Sequence, residues 1–297
     1  EYHGRLIMGN IHGQRLNMDV PERAGSGYVG RHAPDFLNFN DRASQTLNQQ
    51  IDQDGNVFVI DWYDRQQCHN QRDPNVHDRS NGRIYKISYG DKKGTQVDLA
   101  KLEDKRLVDL LLNASPNAWY ARHASRLLQE RAADKQLRST TPELMRVLLN
   151  VNPDKYLLRV MWSLHATAGL TEKDAMRLFS NKSENARAWT IQLLCEDHKP
   201  GEAALKEFAR LAKEDPSPLV RLYLASACQR LTVAERAPIV EALLAHAEDA
   251  ADQNLPLMYW YATEPIVAAE PAKGALLLAR AKIPIIREYI TRRLTAK

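Results

Sequence analysis

Two stretches of this chain carry residue types that do chemistry together. The first runs from Asp61-Trp-Tyr-Asp64 through Cys68 and His69 to His77 and Asp78, and closes on Asn81-Gly-Arg83. Thiolate, imidazole and carboxylate form the ligand set of zinc or another transition metal, which makes Cys68, His77 and Asp78 candidate ligands. Their spacing matches no finger or ribbon. The competing reading is a long polar loop tied down by hydrogen bonds, with Cys68 packed as a small hydrophobe. Asp61, Asp64, His69 and Arg83 are candidates for the rim of a substrate or cofactor site, Arg83 being able to reach a carboxylate such as Asp78 or Asp61. The second stretch is His12, with Arg15 three residues later and His32 further along. A His that abstracts a hydroxyl proton, beside an Arg that holds an anion, is a general-base arrangement. Alternatively, His12 only bonds a neighbouring backbone carbonyl in its turn.

Short strands must position both stretches. Leu6–Met8 and Arg15–Val20 flank Gly9-Asn-Ile-His-Gly13, which predicts a hairpin bent at its glycines, with Tyr28-Val29 as a short third piece. Leu47–Ile51 and Val57–Trp62 flank Asp52-Gln-Asp-Gly55, the clearest hairpin, because Asp-Gly favours turns that match strand twist. Arg83–Tyr89 alternates as a half-buried strand does. Trp62 and Tyr63 then fall on opposite faces, one of them a core aromatic.

Composition marks where this ends. Ten of the 13 glycines lie in residues 1–96. Glycine supplies the positive-φ positions of tight turns and weakens helices. The same residues hold 12 Lys/Arg against 12 Asp/Glu, so the formal excess of +4 belongs to residues 97–297. That excess is scattered like the solvated face of helices, with no dense basic stripe, which argues against nucleic-acid binding. Cys68, Cys195 and Cys228 form no CxxC or CxxCH, so there is no haem attachment site, and Cys195 and Cys228 fall on apolar helix faces. No apolar run approaches the roughly 20 residues needed to span a membrane. With Glu-Tyr-His at its start, the chain reads as a fragment of something longer.

Gly4-Arg-Leu-Ile-Met-Gly-Asn-Ile-His-Gly13, Gly25-Ser-Gly-Tyr-Val-Gly30, Pro34-Asp-Phe36, Asp61-Trp-Tyr-Asp64, Gln67-Cys-His69 and Asp78-Arg-Ser-Asn-Gly-Arg-Ile-Tyr85 resemble the end of the propeller in the membrane-bound dehydrogenase-like proteins of planctomycetes and their relatives. That family is similar to the glucose/sorbosone dehydrogenase propellers. The resemblance covers residues 4–90 and is looser beyond. It implies the last blades of a β-propeller over residues 1–92, with HEAT-type repeats over 97–297 and a periplasmic or extracytoplasmic setting. It implies a quinoprotein-like oxidation of a sugar or polyol, with PQQ or Ca²⁺ in the intact propeller and electrons passed to a quinone-type cofactor or a haem domain. It also makes His12 the first choice for a catalytic residue, with Arg15. The earlier blades and the CxxCH of the family's cytochrome domain are missing, so the fragment alone is expected to be inactive.

From Leu99 onward apolar residues recur at helical spacing. A phrase returns in Pro116-Asn-Ala-Trp-Tyr-Ala-Arg122, Pro153-Asp-Lys-Tyr-Leu-Leu-Arg159, Glu184-Asn-Ala-Arg187, Pro216-Ser-Pro-Leu-Val-Arg221 and Pro284-Ile-Ile-Arg287, with Met258 in the slot before Arg287. This loose period marks stacked helix pairs, about five or six of them. Each Arg is placed to reach an acid at the preceding turn, such as Asp154 or Asp215. Such an array curves into a concave surface and binds a protein partner or braces a neighbour. Two rival functions therefore stand beside the dehydrogenase. One is a non-enzymatic module binding a ligand or glycan and a protein; the other is a helical nucleic-acid binder.

Overall fold

A computed structural model describes residues 2–64, 75, 80–90, 94–112, 117–151 and 154–296. Six strands come first: β1 (Leu6–Asn10), β2 (Arg15–Ala24), β3 (Gly27–Asn38), β4 (Thr46–Ile51), β5 (Val57–Asp61) and β6 (Arg83–Ile87). They form two separate antiparallel sheets of three strands, ordered β1-β2-β3 and β4-β5-β6. This corrects the propeller expectation, because neither sheet is closed and neither is a blade of four strands. Tyr28 and Val29 are not a short separate piece. They open a strand of 12 residues that folds back on the 10 residues of β2 as one long ribbon. Glycine-rich punctuation reports where a chain turns, and not how many strands one sheet gathers.

The β4–β5 hairpin shows how local chemistry sets a turn. The Asp52 carboxylate accepts from the N–H groups of Asp54 (2.9 Å) and Asn56 (2.8 Å) and from the Asn56 amide (2.8 Å). Gly55 supplies a φ of +84°. Along β2, Leu16 and Met18 are buried while Arg15, Asn17 and Asp19 share the other face, as a period of two requires. Gln49 on β4 ties the two sheets together, donating to the Ile7 carbonyl at 3.2 Å and accepting from the Gly9 N–H at 2.9 Å.

Twelve α-helices come next among the described residues: α1 (Asp104–Leu111), α2 (Trp119–Ala133), α3 (Thr140–Val151), α4 (Asp154–Ala168), α5 (Glu172–Leu178), α6 (Glu184–Leu194), α7 (Glu202–Glu214), α8 (Pro218–Ala227), α9 (Val233–Leu243), α10 (Leu255–Ala269), α11 (Pro271–Arg280) and α12 (Pro284–Thr295). Capping boxes start α5 (Thr171 with Asp174) and α9 (Thr232 with Glu235). Proline in the first turn opens α8, α10, α11 and α12, where its missing donor is harmless.

By packing, the chain forms two compact units: residues 1–22 with 29–127, and residues 23–28 with 128–297. In the second, α6 packs on α4, α8 on α6, α10 on α8 and α12 on α10, while α7 packs on α5 and α9 on α7. The even-numbered helices therefore make one layer and the odd ones another. Between the layers lies a continuous core that includes Phe179, Phe208, Leu224, Val240, Tyr259 and Ile286. Burying each such side chain contributes about 1.5–3 kcal/mol.

Candidate functional site

His12 lies exposed in the turn between β1 and β2. Its N–H donates to Asn10 Oδ1 (3.2 Å) and its carbonyl accepts from Gln14 Nε2 (2.6 Å). Arg15 turns elsewhere, with Nη1 3.4 Å from Asp35 Oδ2 on β3. Around that pair runs a polar network on one sheet face. Asn10 Nδ2 donates to Asn17 Oδ1 (2.8 Å), and Asn17 Nδ2 donates to Asp35 Oδ1 (2.8 Å). His32 bridges from Asp19 Oδ1 (3.0 Å) toward Asp35 Oδ1 (3.8 Å). Arg15, expected beside His12 in a proton-abstracting pair, belongs to an Asn–Asp–Arg–His network. Asn17, Asp19 and Asp35 were its missed members, although the alternation of β2 already placed Asn17 and Asp19 beside Arg15 on one face.

Asp61 and Asp64 are both 4% exposed. The Asp61 carboxylate is saturated by the Ser44 hydroxyl (2.8 Å), the Gln45 N–H (2.6 Å) and the Tyr63 N–H (2.8 Å). The Asp64 carbonyl accepts from the Gln45 amide. These contacts fasten residues 44–45 to 61–64 and turn Asp61 inward, away from any rim. Arg83 stands opposite Asp61 in the strand register, yet its guanidinium lies over the Tyr63 ring at 3.3 Å. Tyr63 holds a φ of +55°, and its hydroxyl donates to Asp41 Oδ2 at 2.9 Å. That bond, with burial, pushes the Tyr63 hydroxyl above its ordinary value, while hydrogen bonding to Tyr85 pushes Arg83 up. Trp62 is half exposed.

Cys68, His69, His77 and Asp78 lie outside the described residues. Among the described residues no group of three His, Cys, Asp or Glu is placed to hold a metal ion. Ca²⁺ takes six to eight oxygens, and Asp61, one of two equally buried acids among the described residues of the stretch, has its oxygens occupied by protein donors. Among the described candidates, Arg15 is turned to Asp35 and Arg83 to Tyr63, so neither is placed to hold an anionic quinone such as PQQ. Burial pushes the Cys195 and Cys228 thiols up to about 12, which removes thiolate chemistry from both.

The helical unit carries two further arrangements. In the first, arginines lock successive helix pairs. Arg146 Nε meets Asp174 at 3.3 Å. Arg187 is bidentate to Asp215 (2.6 and 2.9 Å), and Arg221 to Asp249 (2.8 and 2.6 Å). Each acid follows its arginine by 28 residues. The arginine thus reaches forward into the next pair, and what it takes from the preceding turn is a backbone carbonyl: Asn181 O for Arg187 and Asp215 O for Arg221. Burial works against the charge of Arg221, but Asp249 outweighs it and holds the guanidinium above its ordinary value. Beside Asp249, Tyr259 donates to Oδ2 at 2.6 Å, and burial followed by that bond pushes its hydroxyl far up. A cleft of 410 Å³ opens on this pair. A second cleft, of 550 Å³, is lined by His165, whose Nε2 lies 2.7 Å from Glu196 Oε2.

The second arrangement is a row of aromatic rings on the even layer. Trp162 on α4 packs edge-on to Trp189 on α6 at 4.9 Å, and Trp189 meets Tyr223 on α8 at 5.9 Å. Trp260 on α10 meets Tyr289 on α12 at 5.4 Å. Leu257 and Tyr261 stand out from α10 at 47% and 50% exposure, and Trp162 is 38% exposed. A helix as apolar as α10 normally buries both sides.

No protein-family model matches this chain, and no curated protein matches it either.

Proposed function

We propose that this chain is an interaction module, in which the even layer of the helical unit binds a protein partner. The observation that carries this reading is a pair of ring runs on one layer, from α4 to α8 and from α10 to α12, with exposed Leu257 and Tyr261 on α10. Large, stiff aromatics supply contact area at low entropic cost and dominate the energetics of protein interfaces. Between the rings α8 contributes half-buried Leu219, Leu222 and Ser226, and the single acid of α10, Glu264, is neutralised by Arg293 of α12 at 2.8 Å. This reading is preferred to sugar oxidation because Arg15 pairs with Asp35, His12 is held within its own turn and Asp64 is buried.

A photo-reactive residue placed at Leu257, with one at Glu202 on the exposed side of α7 as control, tests the reading in extracts of the source cell. A discrete crosslinked protein is expected from position 257, lost in the Trp162→Ala/Tyr261→Ala double variant. Equal crosslinking from both positions, or none from 257, would sink it. In parallel, dye-linked oxidation of a panel of sugars and polyols with added PQQ and Ca²⁺ should show no turnover above the protein-free rate.

A further inference from the structure

Resting on that reading and extending it to a separate surface, we infer that the face presented by α11 and α12 is a second docking site, for a partner helix that carries an aspartate at its start. Arg287 repeats the position of Arg187 and Arg221. Its Nη1 donates to the carbonyls of Leu278 (2.9 Å) and Ala281 (3.1 Å), and Ala281 precedes it by six residues, as Asn181 precedes Arg187 and Asp215 precedes Arg221. In those two helix pairs the rest of the guanidinium fork takes an aspartate through two hydrogen bonds. Among the described residues no carboxylate meets Arg287, whose side chain is exposed. The carbonyl bonds fix the fork in the same pose, so Nε and Nη2 present a ready receptor for one carboxylate.

The surroundings continue the same interface. On α11 the exposed residues Ala272, Ala275, Leu276 and Ala279 follow the i, i+3, i+4, i+7 spacing of an apolar stripe, and Leu276 is 68% exposed. Ile285 on α12 adds a further exposed apolar side chain at 39%. Arg292 and Arg293 are occupied by Glu288 and Glu264, which leaves Arg287 as the cation open to an incoming acid on this part of α12. An apolar stripe beside a fixed guanidinium calls for an apolar helix with Asp at its start. The chain's own examples place the acid just ahead of the helix: Asp215 closes α7 before α8 and holds Arg187, and Asp249 lies in the 3₁₀ turn Ala247–Ala251 before α10 and holds Arg221.

The test uses the full chain and a fluorescein-labelled peptide copying residues 245–269, with binding followed by anisotropy. Saturable binding is expected, weakened at least about tenfold by Arg287→Gln in the protein or by Asp249→Asn in the peptide, a loss typical of one charge-assisted pair. Leu276→Asp should weaken it as well, and the swapped pair of Arg287→Asp protein with Asp249→Arg peptide should restore it. Unchanged circular dichroism melting of Arg287→Gln separates loss of binding from loss of fold. Absence of binding, or binding indifferent to Arg287→Gln, overturns the inference and leaves the aromatic row untouched, since that surface is read by crosslinking from Leu257.

Discussion

Two buried arginines sit in neighbouring helix pairs and should answer substitution in opposite ways. Arg221 is 4% exposed and fully engaged, with two bonds to Asp249 and one to the Asp215 carbonyl. Arg236 is 7% exposed, yet only Nη2 has a partner, the Leu231 carbonyl at 2.8 Å, and Nε and Nη1 make no hydrogen bond. Removing one member of a buried pair strands the other charge and costs about 3–5 kcal/mol, whereas replacing an underpaired buried ion by a well-packed hydrophobe is often neutral or stabilising. Arg221→Met should therefore lose about 3–5 kcal/mol in urea unfolding. Arg236→Met should stay within about 1 kcal/mol of the parent or exceed it. Equal losses in the two variants would show that the hydrogen-bond count does not govern burial here. The sequence displayed Arg221 as part of a recurring phrase but not its acid, because the partner lies 28 residues on and belongs to the following pair. Spacing within one helix cannot report a contact made across two.

At the scale of elements, the β4–β5 hairpin was the most legible part of the chain, since its turn chemistry is wholly local. The same chemistry makes it sensitive to acid. Burial pulls the Asp52 carboxyl upward, but the bonds from Asn56 and Asp54 and the charge of Lys86 outweigh it and hold the group below its ordinary 3.8. A carboxyl held low in the folded chain takes up its proton later than in the unfolded one. The unfolded state then binds more protons, and stability rises with pH through this interval. Asp52 thus contributes fully above 3.8, and its contribution is lost as pH falls through the lower folded value. Asp52→Asn should lower the urea midpoint at neutral pH, and the gap to the parent should narrow as pH drops below 3.8. A gap constant with pH would mean that the turn owes nothing to the charge. The ribbon of β2 and β3 was less legible for the opposite reason. Its glycines at 25 and 27 look like separators of short strands. Gly25, at a φ of +53°, is instead the tight end of one hairpin, where Ser26 donates to Asp252 through its N–H and hydroxyl, both at 2.7 Å. A partner 226 residues away leaves no trace in local pattern.

For the molecule as a whole, the order of strands before helices could be read from glycine content, while the expected propeller could not survive the observed sheets. Composition measures turns, and closure of a sheet depends on non-local pairing that composition does not encode. The helical unit offers a stricter test of whole-chain organisation, because stacked pairs should transmit stability only to their neighbours. Asp215 joins two steps of the ladder: its carboxylate holds Arg187, and its backbone carbonyl accepts from Arg221. Ser217, two residues on, donates its N–H to the same carboxylate and so seats the start of α8, the helix that carries Arg221. Loss of Arg187 frees Asp215 and loosens the segment on which Arg221 rests. Arg146 and its acid Asp174 share no partner with Arg221. In double-variant cycles, Arg187→Met with Arg221→Met should deviate from additivity by more than about 0.5 kcal/mol, while Arg146→Met with Arg221→Met should add within that margin. Additivity in both cycles would make the ladder a set of independent clips, and an equally large deviation in the Arg146 cycle would mean that stability is shared across the array rather than passed from pair to pair.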